Sequence, residues 1–228
     1  QPVVDAATGE PTSVEALVRW QHPERGLLGP AEFIPAAEES GMIRVIGRAV
    51  LSGACRDLAD LRRQHPGLGV SVNVSALELE QPGFADQILD TVARFGLDPG
   101  AVELEITERV LVDARAATTT LERLRAAGVR VAIDDFGTGY SSLRYLQSLP
   151  ASGLKIDRSF IADTTPTGNG ILAAVIGLAH HAGLQTTAEG VETADQLASL
   201  RELGCARAQG YLICRPLPLD EVRTWLLG

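Results

Sequence analysis

The chain has 228 residues, 20 Lys and Arg against 29 Asp and Glu for a formal charge of −9, and 45% hydrophobic residues. That content supports a full core and excludes the weakly hydrophobic, highly charged compositions that stay disordered. The acidic balance argues against DNA or RNA as a partner, yet it leaves room for a small anion held by local cations or metals. Apolar runs are short and interrupted, so neither a signal peptide nor membrane insertion of this domain is expected. Cys55, Cys205 and Cys214 make an odd number, which points to a reducing, cytoplasmic compartment rather than a secreted disulfide framework.

Short β-rich runs alternate with segments of helical spacing along the chain. The runs are Gln1–Asp5, Ser13–Trp20, Gly69–Ser75, Ala101–Thr107, Arg130–Phe136, Gly153–Asp157, Gln185–Gly190 and Ala206–Leu212. Helices are expected over Val45–Gln64, Phe84–Phe95, Ala116–Ala127, Ile171–Ala182 and Ala194–Leu203, several of them stopped by glycine. Eight strands, the later ones each followed by a helix, point to an α/β fold of the TIM (β/α)8 barrel type over residues 1–228. The link between the first two runs, Ala6 to Thr12, is too short for a parallel crossover. The barrel is therefore expected to be modified, with its first strand antiparallel.

Strands buried on both faces should be apolar, so each charged side chain on them needs a reason. Here the exceptions are many and mostly acidic. They comprise Glu15 and Arg19, Asn73, Glu103 and Glu105 with Glu108 just beyond, Asp134 and Asp135, Lys155 and Asp157, Glu189 then Glu192, and Gln209. Period-two alternation puts Glu15, Leu17 and Arg19 on one face, and Glu103, Glu105 and Thr107 on one face. Most of the others lie at C-terminal strand ends, which converge on one mouth in a barrel.

Carboxylates crowded in this way repel one another, and one Lys and one Arg are too few to compensate them. A divalent metal site resolves the difficulty. Oxygen donors from Glu, Asp and Asn suit Mg²⁺ or Mn²⁺ rather than zinc, and the four His lie off the strand ends. Adjacent aspartates are suited to two ions, and two-ion sites typically serve phosphoester hydrolysis. The residues alone thus point to a metal-dependent hydrolase acting on a phosphate ester.

At Glu15-Ala16-Leu17-Val18-Arg19-Trp20 the sequence resembles the EAL-domain family, bacterial phosphodiesterases of cyclic di-GMP. The likeness continues through Asn73-Val74-Ser75, Glu105-Ile106-Thr107-Glu108, the run Asp134 to Leu143, Lys155-Ile156-Asp157, Ala188 to Thr193 and Gln209-Gly210-Tyr211. It implies one cation on Glu15, Asn73, Glu105 and Asp134, and a second on Asp134, Asp135 and Glu189. It further implies that Lys155 is catalytic and acts on the attacking water, with Glu15, Asp135 and Glu189 serving the chemistry through the ions. Cation charge nearby would lower the Lys155 pKa. Arg19 would contact a phosphate, while Gln1, Leu17, Asp157, Glu192 and Gln209 would hold the nucleotide. Glu108 would anchor the loop Phe136–Leu143. The reaction implied is hydrolysis of cyclic di-GMP to linear pGpG, with a catalytically silent receptor as the alternative. A homodimer, further residues ahead of Gln1, and a place in a longer signalling protein, with a membrane-anchored one as an alternative, complete the expectations.

Overall fold

The computed structural model describes residues 1–107, 115–136, 150–163 and 165–228, excepting the side chains of 115–117. Ten strands are present among these residues: β1 (Pro2–Asp5), β2 (Pro11–Ala16), β3 (Trp20–His22), β4 (Gly26–Leu28), β5 (Gly69–Asn73), β6 (Val102–Thr107), β7 (Arg130–Phe136), β8 (Gly153–Ile156), β9 (Gln185–Ala188) and β10 (Arg207–Ala208). Eight of them close a barrel in the order β1-β10-β9-β8-β7-β6-β5-β2, and β3 pairs with β4 in a separate hairpin. β1 runs antiparallel to both β2 and β10, while the remaining neighbours in the barrel are parallel. The short Ala6–Thr12 link thus forms a hairpin and inverts the first strand, as its length requires.

The helices are α1 (Ile34–Glu39), α2 (Ile43–Leu61), α3 (Ala76–Leu79), α4 (Phe84–Arg94), α5 (Arg115–Ala126), α6 (Arg158–Ala162), α7 (Pro166–His181), α8 (Ala194–Glu202) and α9 (Leu219–Leu226). The five expected helices are present within a few residues of their predicted ends. α5 and α8 stop just before Gly128 and Gly204, whose φ values of 97° and 75° suit the left-handed turn that ends a helix. Not anticipated were the β3–β4 hairpin, α1, α3, α6 and α9. The run Ser13–Trp20 is not one strand either: β2 stops at Ala16, and the chain leaves the barrel before Arg19.

The apolar core lies outside the barrel, between strands and helices. On β6, Leu104 and Ile106 belong to the same buried cluster as Ile88 of α4 and Leu121 and Leu124 of α5. Their neighbours Glu103 and Glu105 are equally buried, but they point into the barrel. Exposure therefore does not alternate along β6, whereas chemistry does. The barrel interior is a polar column wrapped by an apolar shell. Among the described residues no helix is long and apolar enough to cross a membrane, and the three cysteines are unpaired, with Cys55 and Cys205 buried.

Candidate active site

The parallel strands carry their C-terminal ends to one mouth, and there the polar column ends in a cluster around one cation. The Lys155 ammonium on β8 lies 2.6 Å from Glu189 Oε1 and 2.7 Å from Glu105 Oε2. It also lies 3.6 Å from Asp134 Oδ1 and 3.7 Å from Glu15 Oε1. These groups come from β6, β7, β2 and the residue following β9, so the barrel's closure, and not local sequence, brings them together. Glu15 in turn accepts hydrogen bonds from Asn73 Nδ2 (2.9 Å) and Gln209 Nε2 (2.7 Å). Gln209 Nε2 also donates to Gln1 Oε1, and Gln1 Nε2 donates to the Cys214 carbonyl. The buried Gln209 Oε1 has no hydrogen-bond partner.

Eight expected residues thus form one network: Lys155, Glu15, Asn73, Glu105, Asp134, Glu189, Gln209 and Gln1. Asp135 sits beside it on a break in strand register between Ile133 and Phe136, with φ of 54°. A left-handed conformation costs a non-glycine residue roughly 1–2 kcal/mol. The Asp135 backbone N–H donates to Asp134 Oδ1 and fixes that carboxylate. Leu17 is half-buried just beyond β2, and Arg19 is exposed, its guanidinium bonded to the Val18 carbonyl. Asp157 caps α6 by accepting from Ser159, and Glu192 is exposed, its N–H bonded to Gln196 Oε1. Glu108 and the loop beyond Phe136 to Leu143 lie outside the described residues. Glu103 shares its face with Glu105, yet it lies two residues lower, against Arg130 and Arg207, away from the Lys155 cluster. Same-face alternation cannot tell the two ends of a barrel apart.

Charge and burial set the titration of the cluster. Burial pulls the Lys155 ammonium down, but Glu105, Glu15, Glu189 and Asp134 outweigh it and hold the group well above its ordinary value. With the protein's own charges alone, the shift is thus opposite to the lowering that bound cations would impose. Burial raises Glu105 well above the carboxylate range, with Glu15 and Asp134 adding to the rise against Lys155. Burial likewise pushes Glu189 up to about 7, against the pull of Lys155. Glu15 goes the other way: burial is overcome by Lys155 and by the bonds from Gln209 and Asn73.

These shifts fix the sign of one pH dependence. Native Glu189 and Glu105 keep their protons above the pH at which the unfolded carboxylates lose theirs. Stability of the metal-free protein is therefore expected to fall as pH rises from about 4.5 towards about 7. The lowered Glu15 acts below that window. Urea unfolding at stepped pH checks this, and a rise in stability across the window would contradict it.

Gly210 follows Gln209 in the sequence, and its role appears only in three dimensions. A Cβ there would lie 2.2 Å from both N and O of Val191, and the Gln209 carbonyl accepts from that same Val191 N–H. Gly210→Ala is expected to cost about 1–3 kcal/mol by overpacking and to move Gln209 off Glu15. Urea midpoints read the first effect.

Among the described residues no three Asp, Glu, His or Cys side chains form a preformed metal cage. The carboxylates close on the Lys155 ammonium instead. The donor chemistry nonetheless fits a hard divalent ion: oxygen-bearing groups converge on one buried positive charge, with no imidazole or thiol among them.

A closed barrel with an inverted first strand and an acidic mouth ringing one lysine describes a family of known domains. The EAL domain profile matches residues 1–216. The chain belongs to the EAL domain family. It is 46% identical over 230 residues to the cyclic di-GMP phosphodiesterase NbdA of Pseudomonas aeruginosa, covering 99% of this chain and 29% of that protein. It is 44% identical over 228 residues to an uncharacterized signaling protein of Caulobacter vibrioides, covering 99% of this chain and 28% of the relative. The solved PaMucR phosphodiesterase in complex with c-di-GMP superposes with a TM-score of 0.92 at 44% identity, over 97% of this chain and 92% of that one. The chain spans well under half the length of these curated relatives.

Proposed function

We propose that the chain is a cyclic di-GMP phosphodiesterase domain of a longer signalling protein, working in the cytoplasm as a homodimer. It opens one phosphodiester of the ring to give linear pGpG, with two divalent cations, Mg²⁺ or Mn²⁺. The observation that carries the reading is the ring of Glu15, Glu105, Asp134 and Glu189 around Lys155 at the barrel mouth. The EAL relatives named as phosphodiesterases supply the substrate class.

Glu15, Asn73, Glu105 and Asp134 would hold one cation, and Asp134, Asp135 and Glu189 the other. Bound there, the cations would supply electrophilic stabilisation of phosphate charge and make a nearby water more acidic. The chain's own residues do the positioning. Asn73 Nδ2 is spent on Glu15, so its amide oxygen is the atom that would serve as ligand. The Asp135 backbone holds Asp134 in one orientation through its N–H. Lys155 presents N–H donors from a buried position, where they orient the attacking water and meet developing negative charge. Arg19, exposed at the rim, can take a phosphate oxygen pair in a bidentate fork. Gln1, Leu17, Asp157 and Glu192 border the substrate. Gln209 Oε1, buried and without a partner, is an acceptor suited to a guanine N–H.

Incubation with cyclic di-GMP and Mg²⁺ or Mn²⁺, chromatographed for pGpG beside a metal-free sample and a binding titration, tests the reading. Metal-dependent pGpG is expected. Saturable binding without product would place the domain among receptors instead.

A further inference from the structure

The opposite end of the barrel carries a second polar site that the phosphodiesterase reading does not use. We propose that the N-terminal end of the barrel binds a phosphate dianion, free or as a small phosphate ester, between Arg130 and Arg207. A recess of about 530 Å³ opens there, lined by Thr12, Gln64, His65, Arg130 and Arg207 among others. Its mouth is formed by the first residues of β2, β7 and β10 and by the segment leading into β5.

Two guanidinium groups share one carboxylate at this site, and a third lies near them. Arg207, nine-tenths buried, has Nη1 3.6 Å from Glu103 Oε1, and Arg130 has Nε 3.9 Å from Glu103 Oε2. Neither separation is a hydrogen bond. Arg207 Nη2 donates to Gln185 Oε1 at 2.6 Å, while Arg130 Nε is screened from solvent and has no hydrogen-bond partner. Buried donors of this kind are rare, and one on a charged group is costly unless an acceptor meets it. His65 adds a second buried nitrogen, Nε2, without a partner. Arg62 brings a third positive charge close enough to depress Arg130 further, after burial and Arg207, and its Nη1 donates to the Leu68 carbonyl beside the recess.

The backbone is shaped for this arrangement. A Cβ on Gly69 would stand 2.8 Å from Arg130 Nη2, so the glycine at the start of β5 leaves room for the guanidinium where it lies. Arg130 and Arg207, with Arg62 close to Arg130, outnumber the one carboxylate, Glu103, that pairs with them, on a chain whose formal charge is −9. Clustered positive charge favours a dianion, and planar guanidinium forks match tetrahedral oxyanions. The recess is larger than a bare phosphate ion needs, which admits an organic group behind it.

The inference is independent of the chemistry at the mouth, and metal-free protein tests it. Inorganic phosphate and, separately, glucose 6-phosphate are titrated at pH 7.5 while backbone amide NMR signals are followed, with potassium chloride at matched ionic strength as control. Saturable shifts at Gly67, Leu68, Arg130 and Arg207 are expected, absent with chloride. Arg130→Gln is expected to weaken binding about tenfold or more, as loss of a charge-assisted contact does. Arg62→Gln, which leaves both ion pairs of Glu103 in place, is expected to weaken it about threefold and guards against misfolding of the first variant. Tighter binding of the ester identifies a phosphometabolite site, and equal or tighter binding of phosphate identifies a free-ion site. Shifts confined to the Lys155 mouth, shifts that never saturate, or unchanged affinity in both variants would overturn the proposal.

Discussion

Lys155→Met is expected to cost the metal-free protein about 3–5 kcal/mol at pH 7.5, the usual penalty for removing one partner of a buried ionic group. Lys155 is 3% exposed and is the common neighbour of Glu15, Glu105, Asp134 and Glu189. Without the ammonium, four carboxylates face one another in a poorly solvated column, and some must take up protons. The ammonium is held above its ordinary value, so its stabilisation is fully present below about pH 10.5 and is lost only above that. Two conditions should rescue the variant. At pH 5 Glu189 and Glu105 already carry protons, so less repulsion remains. Mn²⁺ at millimolar concentration should restore stability by replacing the missing positive charge. Urea midpoints with and without Mn²⁺ read both effects. A variant as stable as the parent at pH 7.5 without metal would show that the cluster does not depend on Lys155.

Glu15→Ala is expected to lower turnover of cyclic di-GMP on the order of a thousandfold, while leaving the fold intact. Glu15 holds Asn73, Gln209 and the ammonium in one array, and in the proposed function it would offer a carboxylate to the first cation. Its loss would remove a charged ligand of that cation and frees two amides at once, an effect comparable to deleting a preorganised electrostatic contact. Stability should change little, because removing one of four like charges offsets the lost hydrogen bonds. Turnover is measured by pGpG formation, and folding by circular dichroism and urea unfolding. Activity within tenfold of the parent would sink the role given to Glu15.

The inverted first strand was legible because chain length forbids the alternative: seven residues cannot make a parallel crossover. The mouth was legible because carboxylates at strand ends have no structural reason to be there. What remained hidden depends on direction and distance. Nothing local separates Glu103 from Glu105, yet one pairs with Arg130 and Arg207 at the bottom and the other holds Lys155 at the top. Arg19 looked like an inward strand residue until β2 ended at Ala16. The β3–β4 hairpin and α1 lie in a Pro- and Gly-rich stretch, where periodicity is too short to read. The compensation of the acidic cluster was underestimated in the sequence for the same reason: one buried lysine reaches four carboxylates from four different strands and strand ends.

In the proposed function the Lys155 cluster gathers two divalent cations, and hydrolysis follows their binding. Counting bound Mn²⁺ by electron paramagnetic resonance, in the same samples whose pGpG formation is measured, tests it most directly. Two ions per chain are predicted, with turnover rising as the second binds and both falling in Glu15→Ala. Turnover in metal-free protein, or binding of Mn²⁺ that Glu15→Ala leaves unchanged, would contradict it.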